Sequence, residues 1–167
     1  MGHKIFVRDA LPSAYTGRKL DPRNIRDAVT FTLDAEDVKF PCDVSVTLTD
    51  DAGIREINAQ YREIDTATDV LSFPLQDFAP SEYAMPEYDL ASKRVPLGDI
   101  VLSVERVAAQ AEEYGNTQGR EATYLTVHST LHLLGYDHTD EGADKQLMRA
   151  REKEIMRALG YDDAIDN

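Results

Sequence analysis

The chain has 167 residues, 42% of them hydrophobic and 29% charged, a balance that suits a folded globular domain and excludes a disordered or fibrous chain. Its 31 acidic against 18 basic residues give a net charge of −13, which argues against a broad nonspecific grip on nucleic-acid phosphates. No apolar run reaches the length of a membrane span, the N-terminal stretch lacks the apolar core of a secretory signal, and the lone Cys42 cannot form an internal disulfide, so one domain over residues 1–167 in a reducing, cytoplasmic setting is expected, with no membrane partner.

In chain order, residues 4 to 8 (KIFVR) read as a first strand. Asp21-Pro22 is a helix start, a capping side chain followed by proline at the first helical position. Ile25, Val29 and Leu33 then recur every four residues, so a helix over 22–36 should bury that stripe. Arg18, Lys19, Arg23 and Arg26 form the densest basic stretch that lacks a comparable local excess of acids; a solvated helix face explains them as well as a binding role does. Cys42, just after Pro41, reads as a small core residue. Val44, Val46 and Leu48 alternate with polar neighbours as a half-buried strand should. Asp50 or Asp51 can cap a second helix, whose inward stripe is expected to be Ile54, Ile57 and Tyr61 and which closes at Arg62.

Residues 68 to 74 (TDVLSFP) read as a short buried strand ended by proline. Residues 75 to 96 hold three prolines and little periodicity, and are expected to form a long surface loop. A strand over 97–102 follows, and Ser103 can cap a helix running to Tyr114-Gly115-Asn116. A helix over about 118–134 comes next, with Glu121 expected as a solvated residue of its first turn. Thr139 or Asp140 is expected to open a last helix that ends at Leu159, with Leu147, Met148, Ile155 and Leu159 inward. The order predicts an α+β domain with one small mixed sheet.

Three of the four histidines, His128, His132 and His138, lie within the eleven residues HSTLHLLGYDH. His128 and His132 stand four apart, which puts both imidazoles on one helix face about one turn apart. Gly135 can then end the helix in a left-handed residue, and the turn through Tyr136 and Asp137 lets His138 reach the same ion. Three nitrogen ligands leave one tetrahedral position open, the pattern of a catalytic zinc; nickel, cobalt or copper also take such ligands. The spacing H-x-x-x-H-x-x-G-x-x-H equals that of metzincin proteases. Those carry glutamate after the first histidine as general base, whereas this chain has Ser129, so a metalloprotease-like hydrolase is the weaker alternative. Asp137 could orient an imidazole or simply form the turn.

HSTLHLLGYDH, together with YREIDTATDVLSFP (61–74) and LGDIVLS (97–103), resembles the YbeY family of bacterial single-strand-specific endoribonucleases. The resemblance implies a small four-stranded mixed sheet with about six helices and a metzincin-like three-histidine zinc site. It also implies metal-dependent phosphodiester hydrolysis in 16S ribosomal RNA 3′-end maturation and ribosome quality control, with single-stranded ribosomal RNA and the small ribosomal subunit or its proteins as partners. By position, His128, His132 and His138 match the family's metal ligands, and Arg62 its functionally important arginine. Arg62 is expected to hold phosphate oxygens, and His128 and Arg62 to carry catalysis. Ser129 stands where the family usually has glycine, which bears on the shape of the pocket. A further alternative is a non-catalytic ribosome-maturation factor whose zinc is structural, and another is a hydrolase of small phosphate esters.

Overall fold

The computed structural model describes residues 2–86, 91–137 and 142–161. Its elements are β1 (Lys4–Asp9), α1 (Pro22–Ala35), β2 (Cys42–Thr49), α2 (Asp51–Arg62), β3 (Val70–Pro74), β4 (Val95–Ser103), α3 (Val104–Tyr114), α4 (Gln118–Leu133) and α5 (Ala143–Ala158). The strands form one sheet in the order β1-β2-β4-β3. The β1, β2 and β4 strands run parallel, and β3 is antiparallel on the β4 edge. This is the expected α+β mixed sheet, with five helices among the described residues where about six were implied.

Local chemistry sets the helix starts. The side chains of Asp21, Asp50, Ser103 and Thr117 each accept a backbone N–H two or three residues on, at the N-caps of α1, α2, α3 and α4. Sequence places α4 at the centre, because it carries apolar or small residues on nearly every face: Ala122, Leu125, Val127 and Leu131 are all buried. Two of its buried threonines are satisfied locally. The Thr126 and Thr130 hydroxyls donate to the carbonyls of Ala122 and Thr126, each at 2.7 Å. Helices α1, α3 and α5 pack around α4, which in turn lies against β3 and β4.

The other face of the sheet is covered only in part. There Ile54 of α2 packs on Leu71 and Val101 in a small second core. Tyr61 does not join the inward stripe; it is 66% exposed, because that core ends at Phe73, which Tyr61 meets edge-on at 5.8 Å. Leu147 is likewise exposed rather than inward. The buried stripe of α5 is Met148, Glu152, Ile155 and Met156, and Leu147 lies one residue off it, about 100° around the helix. The capping positions expected at Thr139 or Asp140 lie outside the described residues; α5 begins at Ala143 after Gly142.

The segment after β3 is pinned more firmly than a surface loop. Strand β4 starts at Val95, two residues before the expected Leu97, and Phe78 and Tyr83 pack against the main core. Phe78 stacks near Phe40 and Tyr83 at 6.0 and 5.6 Å. The Tyr83 hydroxyl donates to Glu36 at 2.6 Å. Cys42 is buried, as expected, and burial pushes its thiol up to about 12.

Candidate functional site

Helix α4 delivers His128 and His132 to its C-terminal turn, where the chain must reverse. Gly135 makes the reversal with φ +98°, and a Cβ there would lie 2.1 Å from the Phe78 carbonyl oxygen, so only glycine fits this approach. The Tyr136 N–H then donates to Leu131 O at 3.0 Å. That fold-back carries the Tyr136 carbonyl to 2.9 Å from His132 Nδ1. Tyr136 is itself fixed, because its buried hydroxyl donates to Glu36 at 2.7 Å. Arg151 Nε donates to the same carboxylate at 2.6 Å, so Glu36 ties α1, the Tyr83 segment, the Tyr136 turn and α5 together.

His128 is oriented by α5. Its Nδ1 bonds the Glu152 carboxylate, whose other oxygen accepts the Tyr124 hydroxyl at 3.1 Å. Burial raises the Tyr124 hydroxyl's pKa, and the Glu152 charge adds to this, so the phenol keeps the proton it donates. A carboxylate and a carbonyl only accept, so each Nδ1 is the donor, and in the neutral ring the Nε2 atom then presents a lone pair.

Those two Nε2 atoms are 3.2 Å apart. Two lone pairs at that distance repel unless a cation joins them. Nitrogens 2.0–2.1 Å from one tetrahedral zinc would be separated by about 3.3 Å, so the pair fits such an ion. Each ring also has the Nδ1–H acceptor that typically orients a metal-ligating histidine. The third expected ligand, His138, lies outside the described residues, and among the described residues no group of three or more histidine, cysteine or carboxylate side chains could hold a metal ion.

The histidines open onto a cleft of about 640 Å³, which Arg62, Asp69, Ser72 and Asp137 also line. Arg62 reaches it from the end of α2. Its guanidinium donates to the Ser72 carbonyl and sits 5.1 Å from the centre of the Phe73 ring. The Ser129 hydroxyl is fully buried and bonds the Ser72 hydroxyl, joining α4 to β3 beside the cleft. A glycine at 129 would leave Ser72 without that partner, so the serine changes which groups the cleft offers while the histidine pair keeps its geometry.

The structure therefore brings Arg62, His128 and His132 to one cleft. It does not bring the other basic candidates there: Arg18 and Lys19 line a separate groove with Asp21 and Asn24, and Arg23 pairs with Asp21 at 3.0 Å. Glu121 is not solvated. It is 1% exposed, because α4 is buried from its first turn, and desolvation raises its carboxyl pKa. Sequence reasoning missed Glu152 and Glu36. A signal for Glu152 existed: a glutamate between Met148 and Ile155, in step with the apolar stripe of α5, is a charge placed where the core should be.

Known proteins share this arrangement of sequence and fold. Residues 17–160 match the family described as Endoribonuclease YbeY. A protein of that name from Clostridium kluyveri (strain NBRC 12016) is 43% identical over 141 residues, covering 80% of this chain and 85% of its own. One from Roseiflexus sp. (strain RS-1) is 48% identical over 146 residues, covering 84% and 85%. The solution structure of a Thermotoga maritima protein superposes with a TM-score of 0.59 at 25% identity, covering 93% of this chain and 88% of that one. With a family match that spans the cleft-forming elements from α1 to the end of α5, the chain belongs to the YbeY endoribonuclease family.

Proposed function

We propose that the protein is a metal-dependent endoribonuclease that cuts single-stranded ribosomal RNA, acting in 16S 3′-end maturation and ribosome quality control with the small ribosomal subunit or its proteins as partners. The observation that carries the chemistry is the facing pair of His128 and His132 Nε2 atoms, each ring locked from behind. With His138 as the third ligand they would hold zinc or a similar divalent transition metal, which when bound supplies Lewis acidity and makes water a usable nucleophile near neutral pH.

The chain's own groups do the rest. Glu152 and the Tyr136 carbonyl hold the Nδ1 side of each ring, so the Nε2 atoms stay aimed at one point. Arg62 supplies fixed positive charge at the cleft. A guanidinium has five N–H donors, and the bond to Ser72 uses one. Those that remain suit a phosphate, which a planar fork can hold by two oxygens as negative charge develops. The serine after His128 is bonded to Ser72, so no peptidase-type base stands at that position, and a nuclease is preferred over a protease.

The test is cleavage of a single-stranded ribosomal RNA fragment by metal-quantified wild type, His128→Ala and Arg62→Glu, with circular dichroism confirming each fold. Cutting by wild type and a loss of about 100-fold or more in both folded variants is expected, the range for a lost transition-state donor. Equal background in all three would refute hydrolysis at this cleft and leave a binding factor with a structural metal.

A further inference from the structure

The outer sheet face, across the β3 edge from the cleft, carries aromatic side chains at or beyond the margin of the small second core. On β1, Lys4, Phe6 and Arg8 point away from the main core, and they stand in register with Asp43, Ser45 and Thr47 of β2. Helix α2 covers only the β3–β4 side of this face. The uncovered half is a groove of about 710 Å³, with Phe6, Tyr61 and Phe73 around it and Ser45, Thr47 and Asp99 on its floor. Phe6 is 47% exposed and Tyr61 66%. Cations stand against these rings: Lys4 Nζ is 5.0 Å from the Phe6 centre, Arg62 is 5.1 Å from the Phe73 centre, and Arg8 lines the groove. Of the nearby acids, Asp43 lies 3.9 Å from Arg94 and Asp99 stands exposed on the groove floor.

We propose that this half-covered face is a stacking platform for single-stranded RNA, taking the bases that flank the bond presented to the histidine cleft. The inference rests on the ribonuclease reading of that cleft and extends it to a second contact surface. Two observations select RNA as the occupant. Exposed aromatic rings interleaved with lysine and arginine are what sequence-tolerant single-strand binding uses, with bases on the rings and phosphates on the cations. The groove also lies across one sheet edge from the cleft: Ser72 and Phe73 of β3 face opposite sides, Ser72 lining the cleft and Phe73 the groove, and Arg62, which lines the cleft, sits 5.1 Å from the centre of the Phe73 ring. Strand β3 is the sheet edge between them, so a strand crossing it at Arg62 passes from one to the other. A duplex cannot offer its base faces in this way, so the platform selects single strands. It also gives a chain of net charge −13 a way to hold RNA that relies on stacking more than on charge.

The test is fluorescence anisotropy with a single-stranded RNA of about ten nucleotides, within the site size of single-strand binders, in chelator so that no cleavage intervenes. Phe6→Ala and Tyr61→Ala should each weaken binding about tenfold, on the scale of one lost base stack. Phe6→Trp should bind like wild type, and Tyr114→Ala, an exposed aromatic on α3, should have no effect. Wild-type affinity in the two alanine variants, no binding by wild type, or equal affinity for a duplex of the same sequence would overturn the platform. So would a change of oligomeric state in Phe6→Ala with RNA affinity unchanged, which would make the face a contact between copies. Failure of the ribonuclease reading looks different: RNA is bound through the aromatics but not cut when metal is restored.

Discussion

Glu152 does more for the cleft than its surroundings suggest. A 4% exposed glutamate is costly unless its charge is used, and here one oxygen holds His128 Nδ1 while the other takes the Tyr124 hydroxyl. Loss of such a carboxylate behind a ligating histidine typically lowers metal affinity about 10- to 100-fold. Glu152→Gln keeps the shape but removes the charge, and is expected to weaken zinc binding within that range while far-ultraviolet circular dichroism stays native. Competition with a chromophoric chelator measures it, and an unchanged affinity would make Glu152 a packing residue only. The histidine pair could be read from sequence because a spacing of four has one meaning on a helix. Its support was legible only as a charge in step with the apolar stripe of α5; that this charge meets His128 could not be read, because Glu152 lies twenty residues beyond His132 on another helix. The partners of Glu36, Tyr136 and Arg151, stand farther still, 100 and 115 residues away.

Among the elements, β1 is predicted to have a pH-dependent attachment. His3, just before it, accepts the Cys42 N–H on Nδ1 at 3.0 Å, so it closes the β1–β2 ladder only when that nitrogen is unprotonated. Burial lowers its pKa below the ordinary histidine value, against the opposing pull of Asp34. The unfolded chain therefore takes up this proton at a higher pH than the folded one. The contribution is present above the ordinary histidine pKa and is lost as pH falls through the depressed folded value. Urea midpoints of wild type should drop more than those of His3→Gln between about pH 7 and about pH 5; parallel curves would show that His3 carries no linkage. The regular elements were legible from capping residues and periodicity. The misplacements have different causes: Leu147 stands one residue off the buried stripe of α5, whereas at Tyr61 periodicity says which residues share a helix face, but not how far the neighbouring layer extends beneath it. For Tyr61 that layer stops at Phe73, which leaves an aromatic ring in solvent beside the cleft.

At the scale of the whole molecule, the fold is a device for bringing distant segments to one cleft. Helix α4 brings the histidines, α5 the carboxylate behind one of them, α2 the arginine, and the edge strand β3 the serine between. Against the acidity of the chain the cleft sets the Arg62 guanidinium, with Asp69, Asp77 and Asp137 also in its lining, so the metal proposed at the histidines and the aromatic face proposed across the β3 edge would carry much of the hold on RNA. Everything proposed for the cleft depends on a metal at the facing Nε2 atoms. The most direct measurement is the zinc content and affinity of purified wild type, His128→Ala and His132→Ala after dialysis against limiting zinc, with each fold verified. Wild type is expected to retain about one ion per chain, as three nitrogen ligands allow, and either folded variant to lose it. Wild type without stoichiometric metal, or a His132→Ala protein that binds zinc as tightly as wild type, would contradict the account.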